Sequence, residues 1–177
     1  MKMEYRPICE EELSRALFAN FQRRQVVTDC WRRENGTWCV RTDPFIDDWS
    51  EADYDFLVQC LKNTVRTGGF VLGAFLDGNL KGFASVESEA MGSDGGYRDL
   101  TSLHVSADCR GKGIGKQLFS MAADWAREHG GRKLYISGHS AVETQAFYRA
   151  VGCREAAEYQ KKHVEAEPFD CQLEYEL

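Results

Sequence analysis

Arg110-Gly111-Lys112-Gly113-Ile114-Gly115-Lys116 joins a segment with strand character, Leu100 to Val105, to a helical segment that begins near Gly113. Three glycines this close together let the backbone turn several amides toward one point, and the helix that follows adds the positive end of its dipole. Phosphate or diphosphate is the natural ligand of such a turn. A chain organised around strand, turn and helix packs that helix across a sheet, which predicts a mixed α/β protein.

The flanking pattern agrees. Ile114, Leu118, Met121, Ala122, Trp125 and Ala126 recur at helical spacing until Gly130-Gly131 stops them. Upstream, Glu4 to Ile8 reads as a strand, and Glu10 to Phe21 as a helix with acids in its first turn and Leu13, Ala16, Leu17 and Phe21 inward. Ser50-Glu51-Ala52-Asp53 is an N-cap signal for a helix running through Val65 and ended by Gly68-Gly69. Phe70 to Phe75 and Leu80 to Val86 read as strands joined by the hairpin signal Leu76-Asp77-Gly78-Asn79. In the strand from Leu100, alternation puts Leu100, Ser102 and His104 on one face and Thr101, Leu103 and Val105 on the other. Lys133 to Ser137 reads as a strand, and Ser140 to Val151 as a helix with Val142, Ala146, Phe147, Ala150 and Val151 inward. Two final strands are expected near Glu155 to Lys161 and Cys171 to Glu176. Between Gln22 and Asp48 the pattern has no clean period and reads as a long loop, with a short hairpin as the alternative.

At 177 residues, 43% hydrophobic and 28% charged with 3 prolines, the chain suits one globular domain, residues 1–177, and not a disordered or collagen-like protein. A net charge of −6 argues against binding along a nucleic acid and favours a basic partner or a cationic substrate. Met1 to Glu12 carries no apolar run, so neither a signal peptide nor a membrane anchor is expected, and the expected location is cytoplasmic. The seven cysteines are odd in number and none is in C-x-x-C spacing, which excludes a disulfide framework or a zinc ribbon and leaves reduced thiols without a catalytic role. Asp47-Asp48 reads as a solvated turn, so no metal is expected. Lys161-Lys162-His163, flanked by Glu158, Glu165 and Glu167, reads as a neutralised surface hairpin with no nucleic-acid role.

The glycine turn fits two phosphate-binding motifs poorly. Gly111 to Gly115 is one residue too short for a P-loop, and Lys116 is followed by Gln117 instead of Ser or Thr. A dinucleotide fingerprint needs G-x-G-x-x-G near the first strand, whereas this is G-x-G-x-G well along the chain. Arg110-x-x-Gly113-x-Gly115, in its strand-turn-helix context, resembles the R/Q-x-x-G-x-G/A signature of the GCN5-related N-acetyltransferases (GNAT). Phe147-Tyr148-Arg149-Ala150-Val151-Gly152-Cys153, in the next helix, is similar to that family's second hallmark, a Tyr four residues before a Gly. The resemblance covers Phe70 to about Tyr159.

It implies a mainly antiparallel twisted sheet of six or seven strands flanked by about four helices, opening in a V at Leu103 to Val105. It also implies acetyl-CoA as cosubstrate, its diphosphate on Arg110, Gly111, Lys112, Gly113, Ile114, Gly115 and Lys116, and its pantetheine arm along Leu103, His104 and Val105. The family often has an Asn seven residues before the Tyr; here that position is Ala141, and Ser140 or Thr144 is expected to supply a hydroxyl instead.

Tyr148 is by resemblance the general acid that protonates the departing sulfur. A primary amine of pKa ~10 is only about one part in 10³ neutral at pH ~7, a cost of roughly 4 kcal/mol that a base relieves. Glu87, at a strand end beside the expected cleft, is the first candidate, and His104 the second. The resemblance places acceptor recognition in the region carrying Trp31, Trp38, Asp47, Asp48, Trp49 and Tyr54, with Trp31, Asp48 and Trp49 singled out as a site for a cation. The expected acceptor is an amine of a small molecule or a protein, attacked directly in a ternary complex. A non-catalytic CoA-binding sensor and the transfer of a longer acyl chain stay open as alternatives, as does a homodimer paired through the final strands.

Overall fold

Ser50 caps its helix as the sequence predicts: its Oγ accepts from Asp53 N at 3.2 Å while Asp53 Oδ2 accepts from Ser50 N at 2.8 Å. Such local signals set most elements of the computed structural model, which describes residues 2–177. The strands are β1 (Met3–Pro7), β2 (Arg24–Glu34), β3 (Thr37–Asp48), β4 (Phe70–Leu76), β5 (Asn79–Val86), β6 (Tyr97–Val105), β7 (Lys133–Gly138), β8 (Arg154–Glu155) and β9 (Cys171–Glu176). The helices are α1 (Glu51–Arg66), α2 (Ile114–Glu128), α3 (Val142–Ala150) and α4 (Lys161–Ala166). Seven strands form one sheet in the order β1-β4-β5-β6-β7-β9-β8, antiparallel except between β6 and β7; β2 and β3 pair separately.

Each face of the sheet has its own core. On one, Leu72, Ala84, Val86, Leu134 and Ile136 pack with Ile114, Leu118 and Ala122 of α2. On the other, Val71, Phe75 and Phe83 pack with Tyr54, Val58 and Leu61 of α1 and with Leu13, Phe18 and Phe21. Alternation along the strands thus sorts side chains between an α2 face and an α1 face, and any gap in the sheet joins the two.

Five expectations are corrected. Residues 10–21 are two 3-10 turns, Glu10–Glu12 and Arg15–Phe18, and not one helix. The Glu12 carboxylate folds back to Cys9 N at 3.0 Å and to Arg6, and Leu13 and Ser14 are extended, so the helix cannot propagate. The segment read as a loop is the long β2–β3 hairpin, turned by Asn35-Gly36 with φ of 50° and 78°, the pair of positive values that a tight hairpin turn demands. It meets the body through Val27 and Cys30 at Ala141, through the half-buried Trp31 and Trp38 and through a few polar and aromatic contacts, while most of its side chains are wet and show no period.

In β6 the register slips between Ser85 and Val86, a bulge that places Leu100 with Leu103 and Val105 on the α2 face and leaves His104 on the other. Helix α3 buries Gln145 and Tyr148, while Ala146 and Ala150 are exposed, because the hairpin and β7 flank it from two sides. Finally, Glu155 to Lys161 is not a strand: β8 stops after two residues, and Lys161-Lys162-His163 opens the helix α4, with His163 Nε2 2.6 Å from Asp99 Oδ2.

Candidate active site

Strands β6 and β7 pair only from Tyr97–Lys133 to Asp99–Tyr135. Beyond that rung β6 keeps β5 as its neighbour and β7 keeps β9, so Leu100 to Val105 turn an unpaired edge toward Ile136 to Gly138. The wedge between them is a cleft of about 1100 Å³.

At the α2 end of the cleft lies the glycine turn. Gly111 and Gly113 have φ of 76° and 80°, left-handed values that cost another residue roughly 1 kcal/mol or more. A Cβ at either would meet nothing within 4 Å, so the backbone conformation, and not packing, requires glycine there. The first amides of α2 have no partner inside the helix and present donors to the cleft. Arg23, just before β2, also lines the cleft, with its guanidinium 4.9 Å from the centre of the Trp49 ring; its Nη2 pairs with Asp47 Oδ2 at 2.8 Å, while its buried Nε and Nη1 have no partner. With Arg110 and Lys116 in the lining beside it, the glycine turn carries the positive charge and open amides that a diphosphate requires.

Leu103, Val105, Arg110, Gly111, Gly113, Ile114, Gly115, Lys116, Thr144 and Tyr148 all line the cleft, as do His104 and Trp49. Lys112 is exposed in the turn and outside the lining. Ser140 is also outside it: its hydroxyl accepts from Arg32 Nη1 at 2.6 Å. Trp31 lies under the guanidinium of Arg149, and Asp48 is exposed at the end of β3; neither reaches the cleft, and Asp47 does so in place of Asp48. Glu87 is held by the hydroxyls of Thr64 and Thr101 at 3.0 and 2.7 Å and lies outside the lining, one hydroxyl away from it.

Burial, reinforced by Arg23 and Arg110, drives the pKa of His104 down to about 3. Packed edge-on against Trp49 with ring centres 4.8 Å apart, its imidazole is neutral at physiological pH and a poor proton acceptor. Burial also raises the Tyr148 phenol well above its ordinary range, with Cys153 and Asp170 adding to the effect, so it remains a proton donor at any pH of interest.

Sequence reasoning missed Arg23, Phe45, His139, Glu143, Glu167 and Asp170, all in the lining. None belongs to a motif. His139 Nδ1 accepts from Ala141 N at 3.0 Å, which leaves Nε2 to carry the proton of the neutral ring, and the ring packs on Phe45 at 5.3 Å. Among the described residues no group of three or more His, Cys, Asp or Glu is placed to hold a metal ion, and no helix is long and apolar enough to cross a membrane.

Solved structures share this architecture. A nourseothricin acetyltransferase superposes with a TM-score of 0.69 at 17% identity, over 98% of this chain and 96% of that one. A protein of Bacillus anthracis str. Ames described as a streptothricin acetyltransferase, in complex with acetyl coenzyme A, gives 0.73 at 14% over 100% and 99%. A ribosomal-protein-alanine N-acetyltransferase of Brucella melitensis gives 0.62 at 22% over 98% and 99%. Comparison with curated proteins yields no match. The family model described as "Acetyltransferase (GNAT) family" matches residues 9–153, and the chain belongs to that family.

Proposed function

We propose that this acetyltransferase moves the acetyl group of acetyl-CoA to a primary amine by direct attack in a ternary complex. The observation that carries the reading is the through-going wedge between β6 and β7, cationic at the glycine turn and lined by carboxylates at Glu143, Glu167 and Asp170. A thioester seated in the wedge meets the cofactor-binding turn on one side and an acceptor from the other. The unpaired amides and carbonyls of Leu103 to Val105 hold the pantetheine arm in line, so the reaction gains chiefly from positioning. Thr144 lines the cleft, its Oγ1 accepting a long bond from Gln25 Nε2 at 3.4 Å, while Ser140 is bound to Arg32 outside the lining.

Tyr148 donates its proton to the sulfur as the C–S bond breaks. Two of the buried thiols are held unreactive: burial pushes Cys153 up to about 12 and Cys171 up to about 11, which keeps both protonated. Of the acceptors named among the structural relatives, a cationic small molecule suits the carboxylate-lined mouth best. The test is amine-dependent release of free thiol from acetyl-CoA, with the acetylated amine identified by mass spectrometry. Thiol release without an acetylated amine would contradict the reading.

A further inference from the structure

Along β7, Leu134 and Ile136 face α2, so Tyr135 and Ser137 face the opposite side; along β9, Leu173 faces α2 and Gln172 the opposite side. These outward residues form a directed chain of hydrogen bonds. Gln160 N donates to the Tyr135 oxygen at 3.0 Å, and Tyr135 OH donates to Gln172 Oε1. Gln172 Nε2 donates to Ser137 Oγ at 3.1 Å, and Ser137 Oγ donates to Asp170 Oδ2 at 3.0 Å. Tyr135 and Gln172 are buried, so no water substitutes for a link. Every proton in the chain points the same way, and the chain ends on a carboxylate in the cleft wall, on the face opposite the glycine turn.

We infer that Asp170 receives the proton that the acceptor ammonium must lose before attack, and that the acceptor enters as a cation from the α1 face. This deepens the proposed N-acetyl transfer and rests on it. Glu87 and His104 are poorer candidates, one bound to two threonines outside the lining and the other packed against aromatic rings. Asp170 keeps Oδ1 free of protein partners and is oriented through Oδ2. Burial raises its pKa and Glu167 adds to the rise, while Ser137, His139 and His163 oppose it, so the carboxylate is a stronger base than a surface aspartate. Tyr148 and Cys171 are the other titratable neighbours.

The protons balance. The ammonium gives one to Asp170, and the neutral nitrogen forms the C–N bond. The adduct loses a second to water as the C–S bond breaks, and Tyr148 protonates the sulfur and is reprotonated by water. Asp170 passes its proton to water, and each turnover releases one net proton.

The test compares wild type, Asp170→Asn and Ser137→Ala with nourseothricin, 1,6-diaminohexane and a peptide with N-terminal alanine as acceptors. Asp170→Asn should lose about 10²-fold or more in kcat with acetyl-CoA affinity and thermal unfolding unchanged. Ser137→Ala removes a bond that lowers the Asp170 pKa, so the acidic limb of its kcat/KM profile should move to higher pH. An active wild type with an equally active Asp170→Asn, or an unmoved limb in Ser137→Ala, would overturn the assignment alone. A wild type that binds acetyl-CoA but acetylates none of the three would overturn the transfer reading and the assignment with it.

Discussion

Asp99 and Tyr135 form the last rung between β6 and β7, and the next residues, Leu100 and Ile136, face each other across an open wedge. The same pair anchors the surroundings of the acceptor face: the Asp99 carboxylate meets His163, whose ring stacks on Tyr135 at 5.5 Å. The site is therefore a defect in the sheet held open by a packed and hydrogen-bonded rim.

Tyr148 is buried, and its phenol is held protonated. Replacing it by Phe keeps the ring and removes the proton. Steady-state assays should show kcat reduced about 10²-fold or more, with acetyl-CoA affinity in calorimetry unaltered. Unchanged turnover would remove Tyr148 from the mechanism.

Gly113 begins α2 at φ 80° with empty space around it. Gly113→Ala should lower stability by about 1 kcal/mol through backbone strain and weaken acetyl-CoA binding several-fold by disturbing the amides of the turn. Chemical denaturation and calorimetry check the two effects separately.

His104 has a folded pKa of about 3 against an ordinary 6.5, so below about pH 6.5 the unfolded chain binds a proton that the folded one refuses. Stability from this group is present above that pH and is lost as pH falls toward 3. Between about pH 7 and about pH 5, His104→Leu should lose less stability than wild type. Glu12 and Glu174, held near 2 in the folded state, contribute their losses at lower pH and leave this window clear.

Leu118 is wholly buried between α2 and the sheet. Leu118→Ala should cost about 2 to 5 kcal/mol in urea unfolding, because the packed helix cannot collapse into the void. A cost near zero would mean that α2 is not seated as described.

The glycine turn and the helix after it were legible because their chemistry is local: left-handed glycines and an apolar stripe declare themselves within a dozen residues. The β2–β3 hairpin was not, since its strands are largely wet on both faces and only Asn35-Gly36 signals the turn. Asp170 carries no motif at all. Its place beside the wedge depends on the β7–β9 register and on the course of the chain through α4, both long-range features. Glu87 stands at a strand end beside the cleft, which is all the sequence shows, and Thr64 and Thr101 turn its carboxylate away from the lining.

The most direct measurement is a calorimetric titration of the protein with acetyl-CoA, with ATP and NAD as controls. Selective saturable binding of acetyl-CoA is expected, weakened in Gly113→Ala and preserved in Tyr148→Phe. Equal affinity for all three nucleotides, or none for acetyl-CoA, would contradict it.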